Sequence, residues 1–122
     1  MKTALIVDDS TVTRTLIRAA IEDIEGLDIE EAYSGFEALK ILPRQSFDII
    51  LVDINMPDIN GLELLNFIKT NEHYKSIPVI IISTESSEED RKKGISLGAA
   101  GYLTKPFNPD DLQGTVKKHL SL

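Results

Sequence analysis

The 122-residue chain, 42% hydrophobic and 27% charged, is long enough for one domain with a proper core and too short for two. Twenty acidic and 13 basic residues give a net charge of −7, which argues against broad binding to nucleic acid or to an anionic membrane. The absence of cysteine excludes disulfides, thiolate metal sites and a cysteine nucleophile. No apolar stretch reaches the roughly 20 residues of a membrane span, and the start of the chain lacks a signal peptide's apolar core and cleavage site, so a cytoplasmic protein is expected.

Thr3 to Val7 is an apolar run that stops at Asp8-Asp9, as a buried strand would. Ser10 or Thr11 can cap a helix that places Thr13, Ile17, Ala20, Ile21 and Ile24 on one face and ends at Gly26. Asp28 to Tyr33 reads as a second strand whose two central glutamates suit an exposed edge. A short helix is predicted from Gly35 to Leu42, with Phe36, Leu39 and Leu42 inward and Pro43 stopping it. Phe47 to Asp53 contains four consecutive apolar residues between Asp48 and Asp53, the pattern of a central strand buried on both faces. A loop rich in turn formers, Ile54 to Gly61, leads into a helix from Gly61 to Thr70 with Leu62, Leu65 and Ile68 on one side. Ile77 to Ser83 is another apolar strand, ending at Ser83-Thr84-Glu85. Ser86 and Ser87, with Glu89 and Asp90, offer capping boxes for the next helix. That helix has no apolar residue from Ser86 to Lys93, so only Gly94, Ile95, Leu97, Gly98 and Ala99 can face the sheet. Ala100 to Thr104 reads as a short strand, and Pro109 to Leu120 as a last helix with acid first and base last, matching the helix dipole.

Five strands alternating with five helices imply parallel βαβ units and a doubly wound α/β sheet. The acidic second strand belongs at an edge, and the strands ending at Asp8 and Asp53 look central. The order 2-1-3-4-5 satisfies both, which is the flavodoxin-like arrangement.

Parallel strands all end on one side, so Asp8, Asp9, Asp53, Ser83 and Lys105 must converge on one rim. Three crowded carboxylates repel unless cations offset them. Lys105 supplies one positive charge, and a divalent metal would cancel the rest. All-oxygen donors point to Mg2+, with the Asn55 backbone carbonyl as a plausible extra ligand. An ionised aspartate beside Mg2+, a lysine and a hydroxyl is suited to accept a phosphoryl group.

The chain resembles a response-regulator receiver domain of two-component signal transduction, similar to the chemotaxis-type single-domain regulators. The resemblance spans essentially all of residues 1–122 as one domain. It rests on Val7-Asp8-Asp9-Ser10, on Asp53-Ile54-Asn55-Met56-Pro57 followed by Gly61, on Ser83-Thr84, and on Gly101 through Phe107. It implies that Asp53 is the phosphoacceptor, that Asp8 and Asp9 are the acidic pair holding Mg2+, and that Ser83 is the switch hydroxyl, with Thr84 as second choice. It further implies that Lys105 is the family's active-site lysine, that Lys105-Pro106 is commonly cis, and that Tyr102 is the aromatic whose rotamer tracks activation. The donor would be a histidine kinase or a histidine phosphotransfer protein. The output would be a downstream protein bound to the face of the fourth helix, fifth strand and fifth helix, with no direct binding to nucleic acid or membrane. Asn55 and Glu85 occupy positions that influence how fast the phosphoryl group is lost. The protein would catalyse only its own phosphorylation and dephosphorylation. Competing readings are a phosphorylation-independent docking module on the same fold, a flavin-binding electron carrier, and a phosphatase with an aspartyl-phosphate intermediate. The acidic Asp8-Asp9 pair disfavours the flavin reading because it would repel a flavin phosphate. The phosphatase lacks chain length for a substrate cap. His73 and His119 are assigned no function.

Overall fold

The computed structural model describes residues 1–84 and 88–121. Its strands are β1 (Lys2–Val7), β2 (Leu27–Ala32), β3 (Ile49–Val52), β4 (Val79–Ser83) and β5 (Gly101–Thr104). They alternate with α1 (Thr11–Ile21), α2 (Gly35–Ile41), α3 (Gly61–Thr70), α4 (Glu88–Ser96) and α5 (Pro109–Leu120), with a short 3-10 turn at Leu42–Arg44. Every strand pair is parallel and the order is β2-β1-β3-β4-β5, the flavodoxin-like order expected from the sequence.

The period-two alternation of a strand sends successive side chains to opposite faces. Leu5, Val7, Ile50, Val52, Val79 and Ile81 therefore meet Ala38 of α2 and Leu62, Leu65 and Ile68 of α3 on one side. Ala4, Ile6, Ile49, Leu51, Ile80 and Ile82 meet Ile17 and Ile21 of α1 and Leu112 and Val116 of α5 on the other. A fully buried Ile or Leu stabilises by about 1.5–3 kcal/mol, so the four residues of β3, all buried, are strongly held despite the strand's shortness. Among the described residues, no helix is long and apolar enough to cross a membrane.

Four local expectations are corrected. α1 ends at Ile21, before Gly26, which instead makes the turn into β2 at φ +80° while its carbonyl accepts from the Lys2 amide. Ile24 is still buried beyond the helix end. In α2, Ala38 takes the inward position and Phe36 is 58% exposed. The reason is the first turn of α2. Gly35 packs on Ile59, and the Asp58 carboxylate accepts from the amides of Gly35 and Phe36, which fixes the helix rotation with Phe36 outward. Pro43 lies inside the 3-10 turn, where it is tolerated at an early position. In α4 only Gly94 is buried, and Ile95 is exposed. Gly94 sits so close to β4 that a Cβ there would lie 2.7 Å from Ile81 Cδ1, and this close seat turns Ile95 toward solvent. The predicted Ser86 and Ser87 caps, and Glu85, lie outside the described residues.

The loop leaving β3 is closed tightly onto α3. Asn60 and Glu63 form a reciprocal capping box at the start of α3. The Gly61 amide donates to the Ile54 carbonyl at 2.8 Å. A Cβ on Gly61 would overlap the Asp53 carbonyl oxygen and lie 2.8 Å from the Ile54 Cα, so only glycine allows this approach. Gly61→Ala is expected to displace the Asp53 loop and to destabilise the protein by about 1–3 kcal/mol, read as a lower urea midpoint. An unchanged midpoint would contradict the close packing described.

Candidate functional site

The sheet's hydrogen-bond ladder continues one step past the strand ends and pins the rim residues by their backbones. The Asp8 amide donates to Ala32 of β2 at 3.1 Å, the Asp53 amide to Val7 of β1 at 3.0 Å, and the Lys105 amide to Ser83 of β4 at 2.8 Å. Five residues spread from position 8 to position 105 are thus brought to one edge, as the sequence predicts.

Asp8 is 1% exposed, Asp53 6% and Ser83 0%, whereas Asp9 is exposed and Lys105 half-buried. Each oxygen of the Asp8 carboxylate has a partner: Oδ1 accepts from the Ser10 amide at 2.8 Å and Oδ2 from Lys105 Nζ at 2.9 Å. The same Nζ lies 3.4 Å from Asp53 Oδ1. Carboxylate oxygens of Asp8, Asp9 and Asp53 lie within 4.8 Å of one another. Burial raises the Asp53 pKa above the ordinary carboxylate value; Lys105 opposes the shift, and the charges of Asp8 and Asp9 add to it. A hard divalent cation taking oxygen ligands fits this donor set, because one carboxylate faces solvent and the cluster carries more negative than positive charge.

Ser83 is the buried hydroxyl at the end of β4, while Thr84 is exposed. The Lys105-Pro106 peptide is cis. Tyr102 pairs in register with Ile81 and is buried, and the Arg91 guanidinium of α4 lies 5.4 Å above its ring centre. Asn55 is exposed on the loop leaving β3.

Two contributors escaped the sequence reading. Asp58 ties the β3–α3 loop to the start of α2, and those amides, Phe36 foremost, hold its carboxyl below the usual carboxylate range. Arg14 donates through Nη1 to the Asp8 main-chain oxygen at 2.6 Å. The available signal was Arg14 and Arg18, four apart on α1, opposite the acidic edge strand.

Residues 4–117 match the family model for the response regulator receiver domain. The chain belongs to that family. The receiver is 36% identical over 116 residues to protein PilG of Pseudomonas aeruginosa, covering 95% of this chain and 85% of PilG. It is 35% identical over 113 residues to the probable transcriptional regulator ycf29 of Porphyra purpurea, covering 93% of this chain and 54% of that protein, so it spans about half of that relative's length. Among solved structures, chemotaxis protein CheY4 of Vibrio cholerae superposes with a TM-score of 0.89 at 37% identity, over 98% of this chain and 99% of that one. The Mn(2+)-bound form of response regulator Rcp1 superposes with a TM-score of 0.87 at 28% identity, over 98% and 95% of the two chains. Receiver domains bind Mg2+ at an acidic pocket, and the Asp8, Asp9 and Asp53 cluster of this receiver has that character.

An ionised Asp53 opposes folding of the metal-free receiver, because its folded pKa is raised. The penalty is full above the folded pKa and vanishes as the pH falls through it into the ordinary carboxylate range. Asp53→Asn is therefore expected to stabilise the protein in EDTA near neutral pH, with an advantage that shrinks as the pH falls. Urea midpoints across a pH series measure this; an Asn variant less stable than wild type near neutrality would contradict it.

Proposed function

We propose that this receiver accepts a phosphoryl group on Asp53 from the phosphohistidine of a histidine kinase or histidine phosphotransfer protein, in a Mg2+-dependent reaction, and then binds a downstream protein through the face of α4, β5 and α5. The observation that carries this reading is the placement of Asp53 at the end of the central strand, 3.4 Å from Lys105 and beside two further carboxylates. That receiver domains act with kinases and downstream targets supports the class of partner.

In the proposed reaction an Asp53 carboxylate oxygen bonds to phosphorus as the phosphorus–nitrogen bond to the donor imidazole breaks, leaving the electron pair on that nitrogen. Phosphoryl transfer asks the protein mainly for positioning and for stabilisation of the equatorial oxygens. The ladder bond from the Asp53 amide to Val7 and the tight Gly61 turn hold the nucleophile in place. Lys105 stands within reach of both buried aspartates and would pair with a phosphoryl oxygen, and Ser83 would donate to another. Mg2+ held by Asp8, Asp9, Asp53 and the Asn55 carbonyl would supply the remaining positive charge. The receiver acts on no other substrate: it takes up the phosphoryl group and later loses it to water. Residues 1–122 act as one response regulatory domain, placed in the cytoplasm.

The switch we propose uses the weakest element. α4 buries only Gly94, so two arrangements of it differ by a few kcal/mol. Ser83, drawn toward the phosphoryl group, favours the inward Tyr102 seen here, and the Arg91 contact over its ring ties that position to α4.

Incubation with acetyl phosphate, followed by intact mass, tests the reading. A phosphoryl adduct is expected that requires both Mg2+ and Asp53 and is absent from Asp53→Asn. No adduct under any condition, with Mg2+ binding also absent, would make the fold a phosphorylation-independent docking module.

A further inference from the structure

Asp9 is the least anchored member of the acidic cluster. Its carboxylate is exposed and, among the described residues, accepts no hydrogen bond and joins no ion pair, whereas Asp8 has a partner on each carboxylate oxygen. The aim of Asp9 therefore depends on the peptide that precedes it. The carbonyl of that peptide belongs to Asp8, and Arg14 Nη1 donates to it at 2.6 Å.

The Arg14 side chain is 13% exposed and its fork is held at two further points. Nε donates to Glu31 of the edge strand at 3.1 Å, and Nη2 to the Thr11 hydroxyl at 3.2 Å. A guanidinium can serve three acceptors in one plane with little freedom left, which an ammonium cannot. Glu31 is in turn fixed by Arg18 at 2.7 Å. A continuous chain thus runs from β2 through Glu31 and Arg14 to the Asp8–Asp9 peptide.

We propose that Arg14 is a positioning residue for the divalent-cation site, holding the Asp8–Asp9 peptide so that the Asp9 carboxylate is aimed toward Asp53. This rests on the reading of Asp8, Asp9 and Asp53 as a Mg2+ site. Charge and geometry make opposite demands here. As a cation, Arg14 repels Mg2+, so its loss would tighten binding if charge alone mattered. As a positioning group, its loss weakens binding.

Mg2+ titration by calorimetry at fixed ionic strength separates the two, with wild type, Arg14→Ala, Arg14→Lys and Arg18→Ala compared and each melted without metal. Loss of a group that orients a ligand typically costs 10- to 100-fold in metal affinity. Arg14→Ala is expected to bind Mg2+ about tenfold more weakly. Arg14→Lys keeps the charge but lacks the planar fork that meets Asp8, Glu31 and Thr11 together, and is expected to weaken binding as well. Arg18→Ala removes one of the two bonds that hold Glu31 while leaving the Arg14 bond to Asp8 in place, and is expected to weaken binding less than Arg14→Ala does. Tighter binding in Arg14→Ala, or wild-type affinity in Arg14→Lys, would overturn the role; should Arg14→Ala fail to fold, Arg14→Lys decides. Absence of Mg2+ binding by the wild type would overturn the site reading and this inference with it, whereas normal wild-type binding with unaffected Arg14 variants overturns the inference alone.

Discussion

Lys105 Nζ stands 2.9 Å from an Asp8 oxygen and 3.4 Å from an Asp53 oxygen, and the crowded carboxylates of the rim are balanced through it. A parallel sheet that ends two central strands in aspartate must crowd like charges. At an effective dielectric of about 20, two unit charges 4 Å apart repel by roughly 4 kcal/mol. One ammonium placed between the two buried carboxylates offsets much of this. Such a pair is not itself a source of net stability, because desolvating the ions costs about as much as their attraction returns. The sheet is held by its two apolar faces, and the lysine makes the acidic rim tolerable.

Rigidity is distributed unevenly around that rim. The loop carrying Asp53 is fastened at both ends, by the Gly61 approach and the Asn60–Glu63 box on one side and by Asp58 on the amides of α2 on the other. β1, β3 and β4 are buried almost throughout. α4 differs from every other helix in sending a single glycine inward. The molecule thus sets a firmly fixed nucleophile beside a lightly held element, joined by Tyr102, which is packed in the core yet lies under an arginine of α4.

The strands were legible because continuous apolar runs ending in acid or hydroxyl carry a strong signal, and α3 and α5 matched the sequence reading in their bounds. The rim followed from topology alone, since parallel strands share one carboxyl edge. What escaped the sequence depended on contacts between distant segments. Phe36 has the spacing of an inward residue, but Asp58 and Ile59, more than twenty positions away, set the rotation of α2. Ile95 is apolar, yet it is its neighbour Gly94 that sits close against Ile81. Arg14 reaches a main-chain oxygen, and no side-chain pattern announces a backbone acceptor.

The Asp8–Lys105 pair spans 97 positions of sequence. A chain emerging from the ribosome exposes Asp8 and Asp9 almost at once, completes the acidic trio at Asp53, and gains the counter-charge only when β5 has been made. Until then, closing the central strands would set the carboxylates against one another. The acidic trio is thus complete in the chain well before the counter-charge that offsets it. Closure between positions so far apart slows folding relative to local contacts.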